Sequence, residues 1–547
     1  ATMKTIAAIE VDFERGPLGT RSRLRDDLLG ETVLRRTLQR VLESRRLAGV
    51  HLIVDVSQEH IAREAIAGLA VRLETHSAGQ PPWQAYVASA RKWALDAWRG
   101  GIGGVTVFDE AFNPWVLEFL ARREGADALA SIPAGAALID PKLLDDMIAH
   151  FEKVREEVRM VFTQSPPGLS GVIYSSALLA DMAKAVQPPG RVMAYKPSEP
   201  HRDMVMQPCY YSVEAPVAHA TGRLIVDTAE AFRRAESILQ KGVGGNGQPT
   251  AGEIAEFLRQ EKHSVSSLPG EVEIELTTED SLPHTTLRPR GEAVGRRGPI
   301  DEGLFGRLVD ELATRDDVRV VLGGFGDPLL HPNWPALVRR CRTAGVFGLA
   351  VRTPAVHLDE AAIEVLIENH VDILNVLLDA TTAETYAKVH GADHFDRVLA
   401  NLERLQAAYQ RTKQPLPLLV CEMAKTHETM DEMEAFYDHW ISKTGAAVIT
   451  GPSAHAGRWP DRAVMRMAPP ARFVCGRVFG RAMVLADGRV TACDQDFRGE
   501  HAIGSLANSS LSQLWTGDAM RAVREAELTG AHNGTPLCPD CEEWHRP

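Results

Sequence analysis

Residues 475–493 read CGRVFGRAMVLADGRVTAC, and residues 538–541 read CPDC. Inside the first stretch, two short apolar runs flank Asp487-Gly488, a dipeptide that favours a β-hairpin turn. Such a hairpin folds the chain back so that Cys475 and Cys493 converge. The two-residue gap lets Cys538 and Cys541 grip one corner from a single turn. Four thiolates complete the ligand set of a cubane iron–sulfur cluster. The same four would also make a structural zinc tetrathiolate, and spacing alone leaves both metals open.

Upstream of this segment, short apolar runs alternate with helical patterns. They are TIAAIEV (5–11), VHLIVDV (50–56) and GVTVF (104–108), then EVEIEL (271–276), VRVVLGG (318–324), FGLAV (347–351) and DILNVLL (372–378). This alternation predicts an α/β protein built from parallel units. The glycine-rich run GVGGNGQP (242–249) ends the first block, and a short helix over 250–263 leads into the second. A further seam, GRWPDRAVMRMAPP (457–470), precedes the cysteine-bearing segment. The expected division is 1–245, a linker and helix over 246–270, then 271–467 and 468–547. No internal repeat or low-complexity tract stands out.

At 547 residues the chain is too long for one core. A net charge of −13, with no run of Lys or Arg, argues against a nucleic-acid or anionic-membrane partner. No apolar stretch reaches the roughly 18 residues needed to span a bilayer. Ala1-Thr2-Met3-Lys4 reads as a short addition ahead of a native methionine, with no signal peptide after it. With seven cysteines, an odd number, a reducing compartment is expected, and the working location is the cytoplasm. Cys341, in a helical pattern, and Cys421, in a buried-strand pattern, read as packing residues.

Residues 475–541 resemble the auxiliary-cluster domain of radical SAM enzymes, in the shortened one-cluster form called Twitch, a relative of SPASM. Asp487, Gly488, Val490, Gly504, Leu514, Trp515 and Gly517 fall on that family's pattern. The resemblance favours iron–sulfur over zinc and implies one 4Fe–4S cluster on Cys475, Cys493, Cys538 and Cys541. Residues 271–465 resemble the radical SAM core, a partial (β/α) TIM-type barrel. EVEIELTTEDSLPHTTLRPR (271–290) matches its first strand and cluster loop, and GGFGDPLLHPNW (323–334) its glycine turn. DILNVLLDATTAETYAKVHGADHFDRVLANLERL (372–405) matches its middle strand and helices. The family binds its catalytic cluster through C-x3-C-x2-C, but the three matching positions here are Asp280, His284 and Leu287. A leucine cannot ligate a metal, so no radical generation from SAM is expected. Gly323, Gly324, Gly326 and Asp327 form the candidate SAM turn, with a plain tight strand-to-helix turn as the alternative.

Residues 4–240 resemble the cytidylyltransferase-like branch of the nucleotide-sugar fold, a Rossmann-like α/β domain. The matching stretches are 16–42, ALIDPKLLDDMIAHF (137–151), 166–179 and GRLIVDTAEAFRRAESIL (222–239). The family's phosphate-binding Lys falls on Asp27 and its Mg²⁺-holding Asp on Gly135. Arg21, Arg23 and Asp227 remain as candidate contacts for a nucleotide or sugar ligand. The whole order resembles the spiro-SPASM type of fusion protein. The leading expectation is a non-catalytic partner that uses its remaining cluster for electron delivery, or its folds for recognition, beside an active radical SAM or other redox enzyme. The alternative is an enzyme of nucleotide-sugar or glycoconjugate metabolism.

Overall fold

The computed structural model describes residues 3–546 except 101, 201–203, 205–206 and 246–247. Ala1-Thr2 and the centre of the Gly242–Pro249 break therefore lie outside the described residues. The chain forms two compact units, Ala1–Lys262 and His263–Pro547.

The first unit is built on strands β1 (Thr5–Val11), β2 (Val50–Asp55), β3 (Arg72–His76), β4 (Ala128–Ser131), β5 (Met160–Val161) and β6 (Val172–Ser175). Their order is β3-β2-β1-β4-β6-β5. β1 runs parallel to β2 and β4, and only β6 runs against its neighbours. As the central strand, β1 is covered on both faces, which is why it reads as a nearly unbroken apolar run. Helix Pro141–Val154 begins at Asp140, which accepts from the N–H groups of Lys142 and Leu143, and it buries Leu144, Met147, Ile148 and Phe151.

The 246–270 stretch, expected as linker and helix, is divided between the units. Helix Ala251–Glu261 starts at a Thr250/Glu253 capping box and buries Ile254, Ala255, Phe257 and Leu258. These side chains join the core of the first unit together with Leu224 and Val226. The Ala251 N–H also donates to Asp140 (2.7 Å). An amphipathic helix stays where its apolar face is covered, and here the first unit covers it.

The second unit opens with six strands: β7 (Glu271–Glu275), β8 (Arg319–Gly323), β9 (Gly348–Thr353), β10 (Ile373–Leu377), β11 (Leu418–Ala424) and β12 (Ala447–Thr450). Each is parallel to the next, with helices in the connections. This is the succession of a partial (β/α) barrel. The sheet continues past β7 into β13 (Arg481–Val484), β14 (Arg489–Thr491) and β15 (Gly504–Ser505). β13 pairs in parallel with β7, from Arg481↔Glu271 to Val484↔Ile274. β13 and β14 form the hairpin expected around Asp487-Gly488, with Gly488 at φ +84°. The C-terminal segment therefore shares a sheet and a compact unit with the barrel, although its sequence reads as a separate domain.

Candidate functional site

Cys475, Cys493, Cys538 and Cys541 lie close enough to influence one another electrostatically, with Cys538 and Cys541 on the turn Cys538–Asp540 and its cap. Burial pushes the Cys493 thiol well above its ordinary range, and Cys541 and Cys538 add to the effect. Cys541 is pushed up to about 12 by burial, then by Cys475, Glu543 and Cys538. Crowded, buried thiols that resist ionisation on their own are the donor set that a bound metal would stabilise as thiolates.

The surrounding backbone is already turned toward the sulfurs. The Glu543 N–H donates to Cys541 Sγ at 3.3 Å. The Cys475 N–H donates to Glu527 (3.2 Å), and Arg472 bridges Glu527 (2.7 Å) and the Cys538 carbonyl (2.6 Å). Arg477 pairs with Asp494 at 2.7 Å, one residue from Cys493. Burial works to raise Asp494, and Arg477 and His455 overcome it, holding the carboxyl down at about 2.

At the mouth of the barrel, the three positions matched to a catalytic cluster have separate environments. Asp280 is ion-paired with Arg290 at 3.3 Å and accepts from the Leu282 N–H. His284 is exposed. Leu287 is buried against Val389 and Ala424. Arg288 pairs with Asp379 at 2.8 Å, so both arginines of this loop tie it to protein carboxylates. In the glycine turn, a Cβ on Gly326 would meet the Thr277 carbonyl oxygen at 2.1 Å, and one on Gly324 would meet Glu275 at 2.7 Å. Close packing of the turn on the end of β7 therefore explains both glycines. Asp327 is fully buried and accepts from Thr353 (2.8 Å) and the Leu329 N–H.

In the first unit, Arg21 forms a bidentate pair with Asp26 (2.8 and 2.7 Å), and Arg23 lies 3.4 Å from the same carboxylate. Asp227 is buried and takes two bonds from Arg223, whose guanidinium also grips Glu110. Gly135 would bring a Cβ within 3.0 Å of the Val226 nitrogen, so it serves close packing. Asp27 accepts from the Gly30 N–H in a local turn. His51, Glu74 and Glu124 come within metal-binding reach of one another. Arg123 and Arg72 already pair with those carboxylates.

Sequence reading did not single out Arg290, Arg297, Glu275, Arg352 or Glu422. Glu275 and Arg297 form a buried bidentate pair (2.9 and 3.0 Å), and Arg352 reaches Glu422 at 3.0 Å. Charged residues near the C-terminal ends of barrel strands were the available signal, because barrel sites are built there.

Two family models match this chain. The Radical SAM superfamily model covers residues 287–439, and the SPASM model, described as an iron-sulfur cluster-binding domain, covers 475–542. The second unit thus carries a radical SAM domain followed by a SPASM domain. An uncharacterized protein of Treponema pallidum (strain Nichols) is 24% identical over 308 residues, covering 54% of this chain and 84% of that protein. The GTP 3',8-cyclase of Chlorobaculum tepidum is 31% identical over 136 residues, 22% of this chain and 41% of the cyclase. A cytidylyltransferase structure from Leptospira borgpetersenii aligns with a TM-score of 0.33 at 15% identity, covering 47% of this chain and 95% of that one. The SPASM match contains all four C-terminal cysteines. The radical SAM match begins at Leu287 and so leaves Asp280 and His284 outside it. Among the described residues no helix is long and apolar enough to cross a membrane.

Proposed function

We propose that this chain binds one 4Fe–4S cluster through Cys475, Cys493, Cys538 and Cys541. On this reading it generates no radical from SAM and serves an active redox enzyme as an electron-delivery or recognition partner. The observation that carries the reading is the contrast between two loops. The SPASM segment gathers four buried or half-buried thiols, the full ligand set of a cubane. The loop at 280–287 offers a carboxylate engaged by Arg290, an exposed imidazole and a buried leucine. That donor set does not fit a cubane that needs three thiolates. The loop has instead acquired its own supports, because Arg290 and Arg288 satisfy Asp280 and Asp379 from within the protein.

When bound, the SPASM cluster supplies one-electron transfer. The chain's own part is to hold that charge. The Glu543 N–H points at Cys541, and Arg477 provides a fixed cation beside Cys475 and Cys493. With all four ligands thiolate, no iron is left open to a substrate. For the first unit, Asp227 engaged by Arg223, and Arg21 and Arg23 engaged by Asp26, support a recognition role over nucleotidyl transfer.

Anaerobic reconstitution tests the reading. About four irons and four sulfides per chain are expected, lost together in a Cys538→Ala/Cys541→Ala variant. Reduced protein should release no 5′-deoxyadenosine from SAM above background. Stoichiometric zinc without iron would overturn the cluster assignment, and reductant-dependent 5′-deoxyadenosine would overturn the non-radical reading.

A further inference from the structure

A cavity of about 510 Å³ lies between two parts of the second unit that are far apart in sequence. One wall is helix Glu302–Leu312, which lines it with Leu304, Arg307, Leu308 and Glu311, the i, i+3, i+4 and i+7 positions of a single face. The facing wall is the stretch after β15, with Leu506, Asn508 and Ser509, and the Ser510/Gln513 capping box of the next helix. These walls meet because β13 joins β7 and carries the C-terminal segment against the barrel. The volume falls in the range of about 300–1,000 Å³ usual for small-molecule sites. No cluster cysteine and no residue of the glycine turn lines it.

Several of its polar groups are already engaged. Glu311 Oε2 accepts from the Leu511 N–H at 2.9 Å, and Oε1 from the Ser512 N–H at 2.8 Å. The one carboxylate here therefore caps the short helix Leu511–Thr516. Gln513 Oε1 accepts from the Ser510 N–H (2.9 Å), and Ser510 Oγ from the Gln513 N–H (3.3 Å). Arg307 is the exception. A helical arginine is stabilised by an acid three or four residues along. Its two candidates are taken, Asp310 by Arg340 and Glu311 by those two N–H groups. Arg307, Asn508 and Ser509 make no side-chain hydrogen bond or ion pair among the described residues. The apolar lining is Leu304, half-buried, with Leu308 and Leu506, both buried.

This lining selects a ligand by chemistry. A cation would meet Arg307 and find the only carboxylate already bonded. A small inorganic anion would answer Arg307 and leave the leucines uncovered. A hydrocarbon would cover the leucines and offer Arg307 nothing. We propose that the cavity binds a small organic carboxylate with a short hydrocarbon body. Its carboxylate rests on Arg307, whose planar fork matches two oxygens. Asn508 and Ser509, on the facing wall, supply amide and hydroxyl donors. The body covers Leu304, Leu308 and Leu506, which removes apolar surface from water. From Leu304 to Glu311 the helix rises about 10 Å, which sets the length of that body. The site is separate from the cluster cysteines and does not depend on the reading above.

Leucine-methyl NMR of the full-length chain tests this with three probes: octanoate, octylammonium, and a capped peptide of sequence LLD. Octanoate should shift the methyl signals of Leu304, Leu308 and Leu506 saturably. Octylammonium, the same body with the opposite charge, should bind at least about tenfold more weakly, the loss of one charge-assisted contact. Arg307→Gln should weaken octanoate by a similar factor and leave octylammonium unchanged. Arg307 is exposed, so its replacement should keep the fold, and a melting curve checks this. The comparison of octanoate with octylammonium uses wild-type protein and stands whatever the variant does. Absence of saturable shifts at these three leucines would overturn the proposal. So would equal binding of the two amphiphiles, or octanoate binding indifferent to Arg307→Gln. A peptide that saturates the same signals at lower concentration than octanoate would also overturn it, because the groove would then belong to a protein partner.

Discussion

Glu275 is fully buried near the end of β7, and its carboxylate holds four groups at once. Arg297 Nε and Nη2 donate to it at 2.9 and 3.0 Å, the Phe325 N–H at 3.3 Å and the Ala486 N–H at 3.1 Å. Arg297 in turn donates to the carbonyls of Val294 (2.9 Å) and Phe497 (3.0 Å). One carboxylate therefore ties the barrel, the glycine turn and the C-terminal segment together. Replacing it with leucine strands a buried guanidinium, which costs about 3–5 kcal/mol. Two backbone N–H groups also lose their acceptor, at about 1–3 kcal/mol each before relaxation. Against a typical domain stability of about 5–15 kcal/mol, Glu275→Leu should leave the second unit marginal. Urea unfolding gives the size of the loss, and hydrogen exchange gives its location. Amides of β8 and of β13 should lose protection together, because both edges of β7 depend on the same knot. Glu275→Gln, which keeps an acceptor, should cost less. Glu275→Leu/Arg297→Met should recover part of the loss, since neither charge is then stranded. A single-variant loss under about 1 kcal/mol, or deprotection confined to β13, would refute the reasoning.

Three further outcomes are expected. Burial raises Glu10 from 4.5 to about 8, partly offset by the Asn113 N–H, so its contribution to stability is complete below pH 4.5 and is lost as pH rises through 8. Glu10→Gln should therefore leave the first unit's urea midpoint unchanged near pH 4.5 and raise it at pH 9. Arg223→Met strands Asp227 and one side of Glu110 in the core and should cost about 3–5 kcal/mol by urea unfolding. A loss within experimental error would show that the buried ion network is dispensable. Removing the cluster with Cys538→Ala/Cys541→Ala should lower the melting temperature of the second unit and leave the first unchanged, as followed by hydrogen exchange. Unaltered protection over 481–505 would mean that the cluster is not structural.

Much of this architecture was legible in local sequence. A strand such as TIAAIEV announces itself because both of its faces are covered, and Asp487-Gly488 announces a hairpin because the turn needs a positive φ that glycine adopts freely. Thiol spacing is legible for the same reason: a two-residue gap fixes how far apart Cys538 and Cys541 can be. What local sequence could not supply was the partner of each buried charge. Asp227 stands out in the sequence as a candidate ligand contact, but its partner Arg223, which also grips Glu110, does not. Asp280 stands out as a degenerate cluster position, but its pairing with Arg290 is not legible there. The join between β13 and β7 links residues about 210 apart in sequence, and no periodicity records it. Short-range pattern follows from the chain's own geometry. Ion pairing and strand order at long range depend on which faces the packed core leaves opposed, so only the tertiary structure could decide them.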